Sequence, residues 1–395
     1  MRRALFVLLL AVALAGVAAP TTASVLSDAA ATASAVAPAV PSSVGLRAGV
    51  GVADFSWHVG SGSGQHSTEG NGTVGVVTGD PVDPYAQTTK QQPSSGIQSR
   101  LSARALVFEG SNGERVALVK TDNYLAQDLL VRRAAQLIDP ALRLPHDRIV
   151  MSATHNHNSP YFSSPAAGVW VFQDVWDVRA FEYQARQIAE AITDAATSMR
   201  PARLGATTVD FPGVKGNVAG RGASSDRSPY GYPRDFGDHG VVVLRVDDVS
   251  GKQPVPLATW TNFGQHPESL SGYDLVSADF VGPFERFVDR ETGATLVYTQ
   301  GDVGSSEGPS YDGPGTQRLP DGSLRAWYHT GFAQSERFAR LLADAVVAGW
   351  RQIGDGNAQI PFTRDVPVSV FDAWVPGPVS HPYPAANACS TDPTL

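Results

Sequence analysis

The sequence predicts an α/β fold with a mixed β-sheet core, flanking helices and long loops that form the functional site. Two observations support this prediction. First, β-branched runs of strand length alternate with segments whose apolar residues recur at a helical period, between residues 103 and 350. Second, loops rich in Gly, Pro and polar residues interrupt this pattern at residues 155–168, 213–238 and 301–319. Two of these loops directly follow predicted strands, and open α/β sheets place their sites at the carboxyl ends of strands.

The first predicted elements are a strand pair, a helix and a third strand. Residues 103–108 and 115–121 pair across a hairpin-like turn at residues 109–113. A helix is predicted at residues 128–137, and a buried strand at residues 148–153.

The remaining elements are two clear helices and four strands. In residues 180–196, apolar side chains recur at i, i+4, i+7, i+8 and i+11, which places them on one face of a helix. Residues 332–350 have the same kind of apolar face. Strands are predicted at residues 203–211, 241–246, 256–263 and 295–299.

The chain begins with the features of a secretory signal peptide. Arg2 and Arg3 precede an apolar run at residues 4–17 that is too short to span a bilayer, and small residues follow. We expect cleavage after Ala23 and a secreted mature protein, whose net charge falls from −8 to −10 because two arginines are removed. Residues 24–44 are rich in Ala, Ser and Pro, which predicts a disordered linker.

Composition argues against several classes of function. The chain has 30 Lys and Arg against 38 Asp and Glu and no basic run, so a nucleic-acid partner is not expected. Cys389 is the only cysteine, so neither an internal disulfide nor a thiolate zinc cluster can form. Any metal must therefore be held by His, carboxylate or phenolate. No stretch after the signal peptide is long and apolar enough to predict a transmembrane segment.

Histidines follow two of the predicted strands. His155 and His157 come just after the strand at residues 148–153, and His266 comes just after the strand at residues 256–263. Side chains alternate along an extended chain, so His155 and His157 are expected to point to the same side. Imidazoles at converging strand ends are a common way to hold zinc. Spacing alone leaves open the alternative of unrelated surface histidines.

Six short segments lie in the same order as the motifs of one family. They resemble motifs of the neutral/alkaline (non-lysosomal) ceramidases and their bacterial relatives. The segments are residues 49–56 (GVGVADFS), 96–105 (GIQSRLSARA), 152–160 (SATHNHNSP), 226–229 (DRSP), 262–267 (NFGQHP) and 300–303 (QGDV). The resemblance covers about residues 45–390.

This resemblance implies a zinc-dependent amide hydrolase that cleaves the N-acyl bond of ceramide, or of a related lipid amide, to a sphingoid base and a fatty acid. By position, His155 and His266 resemble the zinc ligands, and His157 resembles the second histidine of the pair, near the catalytic centre rather than on the metal. Asp302 resembles the acid of the Gly-Asp-Val segment and would orient His157, while Arg227 resembles an arginine that contacts substrate. Such a substrate also implies transient contact with a membrane surface.

The loop that follows Asp302 departs from the family pattern. The serine that follows Gly-Asp-Val in the family falls on Gly304 here, and Ser305 comes next. The predicted nucleophile is therefore Ser305 or a metal-activated water, with His157 as general base. Two alternatives stay open: a metal-dependent hydrolase of another amide or ester, and a catalytically inactive binding protein with the same fold. Asp302 has the alternative role of forming a turn.

The resemblance implies two further zinc ligands, a glutamate and a tyrosine, from family sequence that lies past the position of Leu395. We therefore expect residues 45–395 to form a ceramidase-like catalytic domain that is incomplete at its C-terminus. Its metal site would be open and would bind zinc weakly.

Overall fold

A computed structural model provides the structure, and it describes eleven segments of the chain. They are residues 45–59, 94–159, 178–211, 240–267, 269–270, 275–301, 303, 315–318, 324–327, 330–354 and 357–371. The predicted signal peptide at residues 1–23 and the predicted linker at residues 24–44 lie outside the described residues.

Strands and helices alternate along the described residues, which confirms the predicted α/β class. The strands are β1 (Arg47–Asp54), β2 (Gly96–Ile97), β3 (Ser102–Glu109), β4 (Arg115–Thr121), β5 (Ile149–Ala153), β6 (Arg200–Asp210), β7 (Gly240–Asp248), β8 (Val255–Phe263), β9 (Leu275–Val276), β10 (Thr295–Gln300), β11 (Gly315–Arg318) and β12 (Leu324–Trp327). The helices are α1 (Asp128–Leu137), α2 (Val178–Thr197), α3 (Val281–Thr292) and α4 (Thr330–Gln352).

Eight strands form one mixed sheet in the order β10-β8-β7-β6-β1-β3-β4-β5. The pairs β4–β5 and β8–β10 are parallel, and the other neighbours are antiparallel. β1 and β6 are joined through only two residue pairs, Arg47 with Pro201 and Ala48 with Arg200. This short junction divides the sheet into an N-terminal half-sheet (β1, β3, β4, β5) and a C-terminal half-sheet (β6, β7, β8, β10).

The sheet bends at that junction, so that the two half-sheets face each other. β5 and β10 are at opposite ends of the strand order, yet the backbone N–H of Gln300 in β10 donates to Ser152 Oγ in β5 at 3.0 Å. Similarly, the Arg104 guanidinium of β3 donates to the carbonyl oxygen of Leu296 in β10 at 2.9 Å. One apolar cluster is built from both halves and includes Leu106, Phe108, Leu118, Leu204, Leu244 and Val297.

Helices cover the outer sides of both half-sheets, each through an apolar cluster of its own. α2 packs on β1 and β3 with α1 beside it, and α3 and α4 pack together on β10, β6 and β7. The result is a four-layer arrangement of helices, half-sheet, half-sheet and helices. The carboxyl ends of β5 and β10 meet between the half-sheets.

Two glycines allow α2 to lie directly on β1. A Cβ atom at Gly49 would be 2.0 Å from the carbonyl oxygen of Ala195, and one at Gly51 would be 2.2 Å from that of Ala191. These distances are far below van der Waals contact, so only glycine fits between strand and helix at both positions. The alternating glycines of the first family-like motif therefore serve helix packing.

The predicted elements agree with the observed ones in type and nearly in extent. The helix predicted at residues 128–137 is α1, and the hairpin predicted around residues 109–113 is the antiparallel β3–β4 pair. The strand predicted from residue 203 begins three residues earlier, at Arg200, where β6 meets β1. β1 itself is not predicted, because glycine has low strand propensity. The helix residues that require its glycines, Ala191 and Ala195, lie far away in the sequence.

Candidate metal centre

Three histidine side chains meet where β5 and β8 end. The nitrogen atoms with which His155, His157 and His266 could bind a metal all lie within 4.8 Å of one another. The Nε2 atoms of His157 and His266 are 2.8 Å apart, and the ring centroids of His155 and His266 are 4.6 Å apart. The bend of the sheet produces this cluster, because β5 and β8 belong to different half-sheets.

His155 is held in an unusual backbone conformation and by two contacts with Tyr124. Its φ angle is +64°, in the left-handed region that non-glycine residues rarely occupy, and such strain is often found at functional sites. Its Nδ1 atom lies 2.8 Å from the carbonyl oxygen of Tyr124, and the two rings stack with centroids 4.3 Å apart. Because a carbonyl can only accept, Nδ1 carries the proton and the Nε2 lone pair is available to a metal.

His157 is buried beside the other two imidazoles. Its backbone N–H donates to the carbonyl oxygen of Pro267 at 3.2 Å, which links the loop after β5 to the loop that carries His266. Burial, and then the neighbouring His266 and His155, lower the pKa of His157 well below its usual value near 6.5. The ring is therefore neutral at pH 7 and can accept a proton or bind a metal.

The loop that carries the histidine pair is fixed by hydrogen bonds on several sides. Its backbone follows the end of β4, since Thr154 N–H donates to Thr121 O at 2.9 Å and Asn156 N–H donates to Asn123 O at 3.1 Å. The Asn156 side-chain amide donates to Ser277 O at 2.6 Å. These bonds give the two imidazoles a preformed arrangement.

A buried cluster of charged side chains lies beneath this loop. Lys120 Nζ is 2.6 Å from Asp122 Oδ2 and 2.9 Å from Glu285 Oε1, and all three side chains are almost completely buried. Arg104 pairs with Glu285 at 3.2 Å and with Asp289 at 2.8 Å. Burial raises the pKa of Asp122, and the Lys120 ammonium partly offsets this rise.

The charged cluster reaches the histidine loop through one hydrogen bond. The hydroxyl of Thr154, the residue before His155, donates to Asp122 Oδ1 at 3.3 Å. The position of the loop therefore depends partly on the charges below it.

A cavity of about 1160 Å³ lies between the half-sheets and extends to the histidines. His155, Asn262 and Gln300 line it near the cluster. Its walls are mainly apolar and come from both half-sheets, with Phe108, Leu118 and Val150 from one and Leu204, Leu244 and Trp260 from the other. An apolar cavity with a few polar groups at one end is typical of a small-molecule site.

A model of the neutral/alkaline non-lysosomal ceramidase family, describing its N-terminal part, matches residues 70–305, more than half of the chain. The chain belongs to this family.

Named ceramidases are among its relatives. Neutral ceramidase A of Dictyostelium discoideum is 28% identical over 230 residues, which are 53% of this chain and 30% of that protein. Neutral ceramidase of Oryza sativa subsp. japonica is 26% identical over 215 residues, which are 52% of this chain and 26% of that protein. The chain thus spans about a third or less of the length of the relatives it matches.

The fold is also that of a neutral ceramidase. The crystal structure of neutral ceramidase from Pseudomonas aeruginosa matches with a TM-score of 0.56 at 18% identity, over 78% of this chain and 45% of that one. A second structure, of a ceramidase complexed with C2, gives a TM-score of 0.55 over 78% of this chain. Matches at this identity show the fold alone.

The cluster fits the metal ion that the ceramidase family implies. Three imidazoles are suitable ligands for zinc, and the hydrogen bond from His155 to Tyr124 is the kind of outer contact that orients a metal-binding ring. His157 belongs to the same cluster, and its Nε2 atom is 2.8 Å from that of His266, so the geometry allows it to be a ligand as well as a base. Its predicted position off the metal stays a prediction.

Four residues singled out from the sequence lie outside the described residues. They are Arg227, Asp302, Gly304 and Ser305. Their predicted roles stay predictions.

Two residues in contact with the histidines or their loops were given no role from the sequence. Tyr124 follows β4, which runs parallel to β5, so the parallel pairing was the signal that could have placed it beside His155. Gln300 ends β10 and lies between the two histidine loops. Nothing in the sequence indicates the bend that brings it there.

Within the described residues, no helix combines the length and the apolarity needed to cross a membrane.

Proposed function

We propose that this chain is a secreted, zinc-dependent hydrolase that cleaves the N-acyl bond of ceramide or of a related lipid amide. The observation that carries the proposal is the three-histidine cluster beside an apolar cavity, in a member of the ceramidase family. The products would be a sphingoid base and a fatty acid. Secretion is proposed from Arg2, Arg3 and the apolar run at residues 4–17.

The cavity supports a lipid substrate. Its volume is slightly above the roughly 300–1,000 Å³ usual for ligand pockets, and its apolar walls can cover a long acyl chain. With the chain in the cavity, the polar amide group would lie near His155, Asn262 and Gln300 at the polar end. We propose that the substrate reaches this site by transient contact with a membrane surface.

The proposed roles follow from the positions and protonation states of the side chains. His155 and His266 would hold zinc, which, when bound, polarises a carbonyl and makes nearby water more acidic. His157, held neutral by burial, can take a proton from the nucleophile and give it to the leaving amine.

Three further groups would act as their counterparts in the ceramidase family do. Asp302 would orient His157, and Arg227 would contact the substrate. The nucleophile would be Ser305 or water. With water as the overall reactant, the hydroxyl adds to the acyl carbon, the C–N bond breaks and the proton goes to nitrogen.

One observation favours a second candidate, an altered or inactive enzyme. Gly304 stands where the family has serine and supplies no hydroxyl. The chain would then hydrolyse another amide or ester, or bind a lipid without cleaving it.

The test is hydrolysis of a short-chain fluorescent ceramide by the full chain with added zinc, beside a water-soluble N-acyl amide. We expect the wild-type chain to cleave the ceramide slowly but measurably, and to cleave the soluble amide more slowly still. His155→Ala should cleave neither. Loss in Ser305→Ala assigns the nucleophile to Ser305, whereas unchanged activity assigns it to water. Cleavage of the soluble amide alone would contradict the lipid substrate. Activity that appears only in Gly304→Ser would support the inactive form.

A further inference from the structure

The side chain of Gln300 bridges the two loops that carry the histidines. Its Nε2 donates to Thr154 O at 2.6 Å and to Gln265 O at 2.7 Å. Its Oε1 accepts from Gln265 N–H at 2.9 Å, and the Tyr298 hydroxyl lies 2.8 Å from the same oxygen. Both amide hydrogens and one acceptor site are thus in use, while the single hydroxyl proton of Tyr298 can go either to this oxygen or to Phe263 O at 2.7 Å.

Each donated bond ends on the residue before a histidine. Thr154 precedes His155 in the N-terminal half-sheet, and Gln265 precedes His266 in the C-terminal half-sheet. The backbone of Gln300 adds a further link across the bend through Ser152 Oγ. We propose that Gln300 is a positioning residue that sets the separation of His155 and His266. This inference rests on the metal centre proposed above.

Burial of Thr154 and Gln265 makes these hydrogen bonds important for the position of the two histidine loops. Thr154 and Gln265 are completely buried, so their carbonyl oxygens are shielded from water that could replace the amide. A buried carbonyl oxygen that loses its donor destabilises the folded state, so the loops would shift to find another partner for it. A shift of either loop changes the distance between the two imidazoles.

The chemistry requires an amide at this position. The two carbonyl oxygens need two donors, while Gln265 N–H needs an acceptor, and only a primary amide of this length offers both. Glutamate has the same shape, but as a carboxylate it has no donor and adds a charge. Methionine has similar length and forms none of these bonds.

The experiment compares the full wild-type chain with its Gln300→Met and Gln300→Glu variants. Competition with a chelator measures the affinity for zinc and cobalt, and the visible spectrum of bound cobalt reports the geometry of the site. Outer contacts of metal ligands are usually worth about 10–100-fold in metal affinity, and we expect losses in that range for both variants. We also expect a changed cobalt spectrum, which reports coordination geometry and which general destabilisation would leave unaltered.

Gln184→Met is the matched control, because Gln184 is completely buried in α2 and its amide atoms have no hydrogen-bond partner among the described residues. Its metal affinity and cobalt spectrum should equal those of the wild type. Either Gln300 variant, folded by circular dichroism but with wild-type affinity and spectrum, overturns the inference. Absence of metal binding in the wild type would overturn the proposed metal centre itself.

Discussion

His155 Nδ1 lies 2.8 Å from the carbonyl oxygen of Tyr124, while the two aromatic rings stack against each other. This pair fixes both the tautomer and the orientation of one imidazole before any metal binds. It also joins the loop after β5 to the loop after β4. These two strands are parallel neighbours in the sheet, so both loops leave it at the same edge.

Removal of either proposed ligand should abolish specific zinc binding. We expect His155→Ala and His266→Ala to lower zinc affinity by at least about 100-fold, beyond the 10–100-fold typical of an outer contact. Titration against a chelator measures this. His146→Ala is the control, because His146 pairs with Asp128 outside the histidine cluster. Stoichiometric tight zinc binding by His155→Ala would contradict the assignment.

His157 should matter for proton transfer more than for metal retention. In His157→Gln we expect most of the zinc affinity to remain while hydrolysis is lost, because an amide cannot take up the proton that a neutral imidazole accepts. Zinc affinity and kcat measured on the same preparation separate the two effects. A loss of affinity as large as in His155→Ala would make His157 a third ligand, which the 2.8 Å approach to His266 permits.

Lys120 should be essential for stability. Lys120→Met leaves Asp122 and Glu285 buried without the cation that lies within 3 Å of both. Removing one member of a buried ion pair usually lowers the free energy of unfolding by about 3–5 kcal/mol, because the other charge stays buried without a counter-ion. Denaturant unfolding measures it, with the exposed Lys252→Met as control. A loss below about 1 kcal/mol, the range of a surface pair, would count against this role.

Asp279 should make stability depend on pH. Its carboxyl is completely buried, and burial raises its pKa from 3.8 to about 6, despite hydrogen bonds from the backbone N–H groups of Leu270 and Phe280. The folded state then holds the proton more tightly than the unfolded state. Protonation of Asp279 therefore makes its full contribution to the free energy of unfolding below pH 4. This contribution, about 3 kcal/mol, is lost as the pH rises through about 6.

The measurement for Asp279 is the slope of unfolding free energy against pH, rather than its absolute value. Asparagine cannot titrate, so Asp279→Asn should remove this part of the slope between pH 4 and 6. Identical slopes in the two proteins would show that the carboxyl is charged throughout. The comparison tolerates a lower overall stability of the variant, because an amide offers only one acceptor oxygen to two N–H groups.

Gly49→Ala should destabilise the contact between strand and helix. The added methyl would lie 2.0 Å from Ala195 O, so α2 must move away from β1. Overpacking of this kind costs about 1–3 kcal/mol, and a clash with rigid backbone falls at the upper end. Thermal unfolding measures the loss. Gly251→Ala is the control, since a Cβ there meets no atom nearer than 3.6 Å. Equal stability of the two variants would contradict the packing argument.

Local patterns in the sequence predicted most elements and the place of the histidines. The apolar period of α2 and the β-branched run of β5 are properties of contiguous residues, and His155 directly follows such a run. Gln300 and Tyr124 could not be assigned in this way. Their roles depend on which strand ends meet, and that follows from the bend at the two residue pairs between β1 and β6. The buried charge of Lys120 was missed for the same reason, since its partner Glu285 is distant in sequence.

Because β1 and β6 are joined through two residue pairs, formation of the metal centre depends on the order in which the two half-sheets fold and close on each other. His155 belongs to one half-sheet, and His266 and Gln300 belong to the other, so neither half can assemble the ligands before they close on each other. A metal that binds only the closed form stabilises closure by mass action, and more so as its concentration exceeds its Kd. Zinc would thus bind at a late step of folding and stabilise the closed arrangement of the half-sheets. Metal uptake during refolding would report the moment when the halves meet, a step that secondary-structure signals from either half would not reveal.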